Sequence, residues 1–382
     1  MLTISAGFDA GNIDVISAER ADDIQLAIRA DNQSDFLQWF YYRVQGCEAH
    51  DLTMRLVNAD QAAYEDGWPG YEAVASYDRQ YWFRVPTRYE EGELIIEHTP
   101  EQNSIYYAYF APYSYERHLD LLGWASQSPL CRNHLLGLTL DGRDLDLLHI
   151  SATDAPTCKI WIMARQHPGE TVAEWLVEGL LERLLDDQDA LSLQLLEQAE
   201  FYIVPNMNPD GSVRGHLRTN AAGVNLNREW QTPTLEQSPE VYYVREAMQQ
   251  TGVDLLLDIH GDEALPCNFI AGQDGVPTVS DEVLQAEHQF RADLMAVNPD
   301  FQIERGYAPD QFGEETMTIA SNWIGDHFRC PAMTLEMPFK DFDLKPDSVQ
   351  GWSPERSIKL GQSLLYPVAR WLHSRNLTPD SE

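Results

Sequence analysis

The sequence predicts an α/β chain, a mixed and largely parallel sheet flanked by helices and preceded by a small antiparallel β-sandwich. Three observations predict it. Short apolar runs at residues 159–163, 201–204, 254–259 and 332–335 each end in polar residues, which is how strands buried on both faces of a parallel sheet read. Residues 171–185 place Val172, Trp175, Leu176, Gly179, Leu180 and Leu184 at helical spacing directly after the first run. Before about residue 110 the pattern changes to short, partly alternating segments rich in aromatic and β-branched residues.

In chain order, residues 23–29, 36–44, 52–57, 81–85, 93–97 and 105–110 read as sandwich strands, separated by turn signals such as Glu90-Glu91-Gly92. Trp39, Tyr41, Tyr42, Trp82 and Tyr106 are the core aromatics expected there. The four apolar runs follow, with helices between them. Ser238-Pro239-Glu240 and Ser353-Pro354-Glu355 read as N-caps with proline at the first helical position, opening helices to about Gln250 and Ser374. This divides the chain into residues 1–112, residues 113–376 and a loose polar tail at 377–382.

Composition bounds the function. A chain of 382 residues with 43% apolar and 10% aromatic side chains can bury two cores. The formal charge of -35 excludes nucleic acid as a partner, because one polyanion repels another at long range. No apolar stretch is long enough to span a bilayer, and the N-terminus carries no basic segment followed by an apolar core. Cys47, Cys131, Cys158, Cys267 and Cys330 are scattered without metal-type spacing, as buried thiols in a reducing compartment are. The expectation is a soluble cytoplasmic protein.

The chemistry gathers at the ends of the apolar runs. His167 and Glu170 follow the first run and His260 ends the third, and two imidazoles with one carboxylate are a catalytic zinc set that leaves a coordination position open. In open α/β sheets ligands bind beyond the carboxyl ends of the strands, so polar groups at four such ends can converge on one cleft. The Gly-punctuated stretch 215–230 carries Arg218 and Arg228, whose guanidinium forks suit a substrate carboxylate or a developing oxyanion.

His167-Pro168-Gly169-Glu170, Asn208-Pro209-Asp210-Gly211, Asn225-Leu226-Asn227-Arg228, Asp258-Ile259-His260-Gly261 and Leu335-Glu336 occur in the order found in zinc metallocarboxypeptidases of the carboxypeptidase A type. The chain most resembles their cytosolic carboxypeptidase branch, bacterial members included, from about residue 110 onward and more loosely before it. Phe110-Ala111-Pro112-Tyr113-Ser114-Tyr115 resembles the entry to that branch's catalytic domain, which follows an N-terminal β-domain. The resemblance implies one zinc on His167, Glu170 and His260, Glu336 as general base and then acid, Arg218 on the scissile carbonyl, and Asn227 with Arg228 on the free C-terminal carboxylate of a peptide or protein. Two positions depart from the family pattern. Asn225 stands where classical members place an aspartate behind the first zinc histidine, and Tyr307 is the nearest counterpart of their mobile tyrosine without matching flanks.

Two other readings stay open: a zinc-dependent deacylase or amidase of small acyl amino acids, and a catalytically silent metal-containing binding protein. Arg218 and the N-terminal β-domain favour the peptidase over the first, and Glu336 over the second, since binding alone needs no proton shuttle. For the removed side chain, Arg305 or Arg329 is expected to favour an acidic residue, opposed by Glu314 and Glu315 nearby and by the overall charge of -35, with a basic residue as the runner-up.

Overall fold

The computed structural model describes residues 2–153, 155–156, 158–308 and 312–377. Its centre is a seven-stranded sheet in the spatial order Cys131–Leu138, Asp144–Ile150, Ala199–Val204, Cys158–Ala164, Leu255–Asp262, Ala332–Pro338, Phe269–Ala271. The middle four strands run parallel and correspond to the four apolar runs, while both margins are antiparallel. The sheet is therefore parallel only where both faces are covered, as the backbone rule for crossover connections requires.

Side chains of Cys158–Ala164 alternate between two cores. Ile160, Ile162 and Ala164 join the larger core with Val172, Leu176 and Leu180 of helix Thr171–Leu184. Trp161 and Met163 face the other way, against Val241, Val244 and Met248 of helix Pro239–Thr251 and Ile324 of helix Ala320–Phe328. On this second face Leu256 and Ala332 are apolar register partners, and the next pairs along the same strands are Asp258 with Thr334 and His260 with Glu336. Because side chains repeat with period two, one face of two adjacent strands passes from apolar core to polar site within four residues.

The N-terminal segment forms two five-stranded sheets. They pack face to face, with Tyr42 of one sheet hydrogen-bonded to Met54 of the other, and Tyr107 to His98. One ladder departs from the antiparallel expectation: Asp23–Ala27 runs parallel to Leu52–Leu56. Strands Thr3–Ser5, Asp14–Arg20, Val74–Ser76 and Thr87–Glu90, and the hairpin formed by Cys131–Leu138 and Asp144–Ile150, have no counterpart among the expected strands. Asp14–Arg20 and Cys131–Leu138 are sheet margins with mostly exposed or half-buried residues, so neither carries a continuous apolar run.

The C-terminal helix expected to run unbroken to Ser374 is two helices, Pro354–Ser363 and Leu365–Leu377. Pro367 explains the break, since it has no N–H to donate to Ser363 and its ring crowds that carbonyl. Ser353 caps as expected, accepting from the Arg356 N–H, but the Ser238 side chain caps no helical N–H and instead bonds Glu229 and the Thr234 N–H. Helix Leu365–Leu377 reaches the first residue of the expected tail, and the rest of that tail lies outside the described residues.

Candidate metal centre and active site

The turn carrying His167 and Glu170 is built to leave the strand sharply. Arg165 adopts φ +60 and is 1% exposed, and its guanidinium donates to the Pro168 carbonyl at 3.0 Å, the Tyr113 carbonyl at 2.9 Å and Glu174 at 2.7 Å. Glu174 is shared with His118 at 2.6 Å, so this buried charge is paired and hydrogen-bonded as burial demands. Asn208 donates to the Gln166 carbonyl and accepts from the Gly211 N–H, capping the short helix Pro209–Arg214. A Cβ on Gly211 would lie 2.3 Å from the Pro168 ring, so the two tetrapeptides that stood out in the sequence are packed against each other.

Three side chains converge at this turn. His167 Nδ1 lies 2.6 Å and His260 Nδ1 2.8 Å from the two oxygens of Glu170, and the two Nδ1 atoms are 3.2 Å apart. The tautomers follow from what stands behind the rings. Asn225 Oδ1 already accepts the Asn227 N–H at 3.1 Å and lies 3.0 Å from His167 Nε2, so that nitrogen carries the proton. His260 Nε2 likewise meets the Asp258 carboxylate at 2.9 Å, and Gln166 donates to the same oxygen at 2.7 Å. Both Nδ1 atoms are then bare lone pairs turned toward a carboxylate. Two imidazole nitrogens and one carboxylate crowded this closely fit a cation at their centre, and the set and its outer partners suit zinc. Burial, then the charge of Arg218, pushes His167 down to about 4, which keeps it in the neutral, metal-binding form.

Glu336 stands beside His260 on the neighbouring strand. Burial, together with the nearby carboxylates of Glu170, Asp262 and Glu263, pushes it well above the usual carboxylate range against the pull of His260. Its Oε2 is buried without a hydrogen-bond partner, and the Tyr307 hydroxyl lies 3.4 Å from its Oε1. Tyr307 donates a shorter bond, 2.6 Å, to Asp262 and packs edge-on against Phe269. A cavity of about 400 Å³ opens along this side, bordered by Tyr307, Phe269, Arg291 and Glu304.

Arg218 is half-buried, with its guanidinium over the rings of Phe36 and Tyr64 at 5.6 and 5.4 Å. Asn227 is buried, and its Oδ1 accepts the Ala320 N–H at 2.9 Å, which turns its NH2 group outward. Arg228 is exposed and donates to the Asn227 carbonyl at 2.8 Å. Of the two arginines expected to charge the side-chain pocket, Arg305 borders the cavity beside Tyr307 and Arg329 is not among its lining residues. Arg305 forks onto Asp343 at 2.7 and 2.6 Å, and Arg329 pairs with Asp326 at 3.0 Å.

Sequence reasoning missed Asp258, Gln166, Glu263 and Asp31. Asp258 had a signal, since it stands two residues before His260 on a strand and so shares its face. Gln166 sat unremarked inside the first motif. Glu263 follows His260 by three residues in the same segment, whereas Asp31 reaches the site only through tertiary packing.

Comparison with known proteins agrees with this geometry. Residues 120–351 match the family described as zinc carboxypeptidase, and residues 4–110 match the cytosolic carboxypeptidase N-terminal domain. A metallo-carboxypeptidase from Burkholderia cenocepacia is 48% identical with a TM-score of 0.96, over 98% of this chain and 100% of that one. A Pseudomonas aeruginosa metallo-carboxypeptidase solved with (2-guanidinoethylmercapto)succinic acid is 46% identical with a TM-score of 0.94, over 96% and 98%. Cytosolic carboxypeptidase 6 of Caenorhabditis elegans is 24% identical over 94% of this chain and 84% of its own length. Family, fold and donor set lead to one conclusion: the chain belongs to the zinc carboxypeptidases and is a zinc-dependent peptide hydrolase acting on free C-termini.

Proposed function

We propose that this enzyme removes single residues from peptide C-termini with His167, Glu170 and His260 as its zinc ligands. The convergence of two bare imidazole nitrogens on the Glu170 carboxylate, with Glu336 in register beside His260, carries the reading. Bound there, zinc supplies a Lewis acid that activates water and polarises the scissile carbonyl. Glu336 takes the proton of the attacking water at a carboxylate oxygen and returns it to the leaving amine. Burial and the neighbouring carboxylates raise its pKa, which makes the ionised group a stronger base than an exposed carboxylate. Arg218 donates to the developing oxyanion, and its rings hold the guanidinium without spending its N–H donors.

Arg228 and the outward NH2 of Asn227 receive the terminal carboxylate, and the succinate end of the inhibitor bound by the Pseudomonas relative is the kind of group they suit. For the departing side chain we favour a basic residue. The charge of -35 and the guanidino end of that relative's ligand support it, while Arg291 and Arg305 on the cavity wall oppose it. We further take residues 1–112 and 113–376 as two domains and the cytoplasm as the compartment. Five buried free cysteines support the latter, and among the described residues no helix is long and apolar enough to cross a membrane. Amidating a good substrate's C-terminus tests the carboxylate contact: cleavage is expected to fall steeply, and Arg228→Ala to narrow the gap between free and amidated peptides. Equal cleavage of the two by the wild type would point instead to an amidase or endopeptidase.

A further inference from the structure

The loop that carries Arg218 is seated on the N-terminal sandwich. Three successive N–H groups, of Leu217, Arg218 and Thr219, point to one side and converge on the Asp31 carboxylate at 2.6, 2.8 and 2.8 Å, and the Thr219 hydroxyl adds a fourth bond at 3.0 Å. Consecutive amides arranged this way form an anion-binding concavity, and here the anion is a side chain 186 residues away from Leu217 in sequence. Asp31 is 3% exposed, so these bonds are shielded from water. Neighbouring contacts repeat the theme. Asn32 donates to the Ala221 carbonyl at 2.7 Å and Asn12 to the Gly215 carbonyl at 2.8 Å.

The far end of the arginine is held from the same side. Phe36 and Tyr64, which flank its guanidinium, both belong to the sandwich segment. Leu217 also ties the loop to the metal centre, because its carbonyl accepts the Gly169 N–H at 2.8 Å between His167 and Glu170. A Cβ on Gly169 would lie 2.9 Å from that oxygen, so the two backbones meet directly.

We propose that Asp31 is a positioning residue for Arg218: the N-terminal sandwich fixes the arginine backbone through this carboxylate and its guanidinium through Phe36 and Tyr64. The proposal rests on the reading of Arg218 as the oxyanion donor. It makes the N-terminal sandwich a structural part of the active site. Asp31→Asn replaces one acceptor oxygen by an NH2 group that faces amide donors, so the loop must shift. A displaced donor weakens the transition state more than the bound substrate, and a misplacement near 1 Å costs on the order of 100-fold in rate.

A double-mutant cycle on the zinc-loaded enzyme tests this with Asp31→Asn, Arg218→Ala and the pair. Expected are a fall in kcat of about 10- to 100-fold for Asp31→Asn with KM little changed and zinc retained, and no further fall when Asp31→Asn is added to Arg218→Ala. Losses that multiply independently would overturn the positioning role while leaving Arg218 in the mechanism. Near-normal turnover by Arg218→Ala would overturn both. Should Asp31→Asn lose zinc or fail to fold, the same cycle with Tyr64→Leu, which leaves the loop backbone bonded, must give the same non-additive result, and independent losses there overturn the proposal.

Discussion

At the scale of single residues, the site was legible where chemistry restricts residue type and spacing together. A zinc donor must be histidine, carboxylate or thiolate, and His167, Glu170 and His260 stood at strand ends where such donors can meet. Their outer partners were legible only in part, since Asn225 and Asp258 lie inside the quoted motifs but the tautomers they impose depend on distances. His260→Ala is expected to abolish bound zinc and activity while leaving the sheet intact, which metal analysis and circular dichroism would check. Asp258→Ala should weaken zinc binding about 10- to 100-fold, because the His260 ring loses the acceptor that fixes its proton on Nε2. Retention of wild-type zinc affinity by that variant would remove Asp258 from the account.

Secondary-structure elements divide by burial. The four parallel strands and helix Thr171–Leu184 were readable because each has a burial pattern that repeats in the sequence. Marginal strands such as Asp14–Arg20 were not, since their residues face water on both sides of the pattern. Helix Pro239–Thr251 carries a carboxyl with a measurable consequence. Burial pushes Glu240 up to about 7, and one of its oxygens has no partner while the other accepts from Asn220 at 3.2 Å. A raised carboxyl pKa means that the folded protein binds the proton more tightly than the unfolded chain. Its contribution is therefore full below about 4.5 and is lost as pH rises through about 7. Glu240→Gln should flatten that loss and leave the variant on the order of 2–3 kcal/mol more stable than the wild type at pH 8. Urea denaturation at pH 5 and pH 8 checks it, and an unchanged pH slope in the variant would count against a protonated Glu240.

For the whole molecule, the N-terminal β-sandwich was legible from the change of pattern before residue 110, whereas the seating of the Arg218 loop on Asp31 was not. That contact joins two segments with no shared periodicity, and only the folded chain brings them together. Net charge acts at the same scale. A field from -35 repels acidic peptides and attracts basic ones, so kcat/KM for peptides ending in Lys should exceed that for peptides ending in Glu most at low salt, the gap narrowing as salt screens it. A preference for Glu at both of two salt concentrations would instead point to a short-range contact with Arg291 or Arg305 on the cavity wall.

In the mechanism proposed above, a zinc centre and the Glu336 carboxylate together hydrolyse the last peptide bond of a chain with a free carboxyl end. Mass spectrometry of a C-terminally diverse peptide mixture tests it most directly, using the zinc-loaded wild type beside zinc-loaded Glu336→Gln. The wild type should release one terminal residue at a time from free but not amidated peptides. Glu336→Gln, which removes the titrating group at nearly constant volume, should turn over at least about 100-fold more slowly with KM little changed. Near-normal release by the zinc-loaded Glu336→Gln enzyme, or internal cleavage by the wild type, would contradict the account.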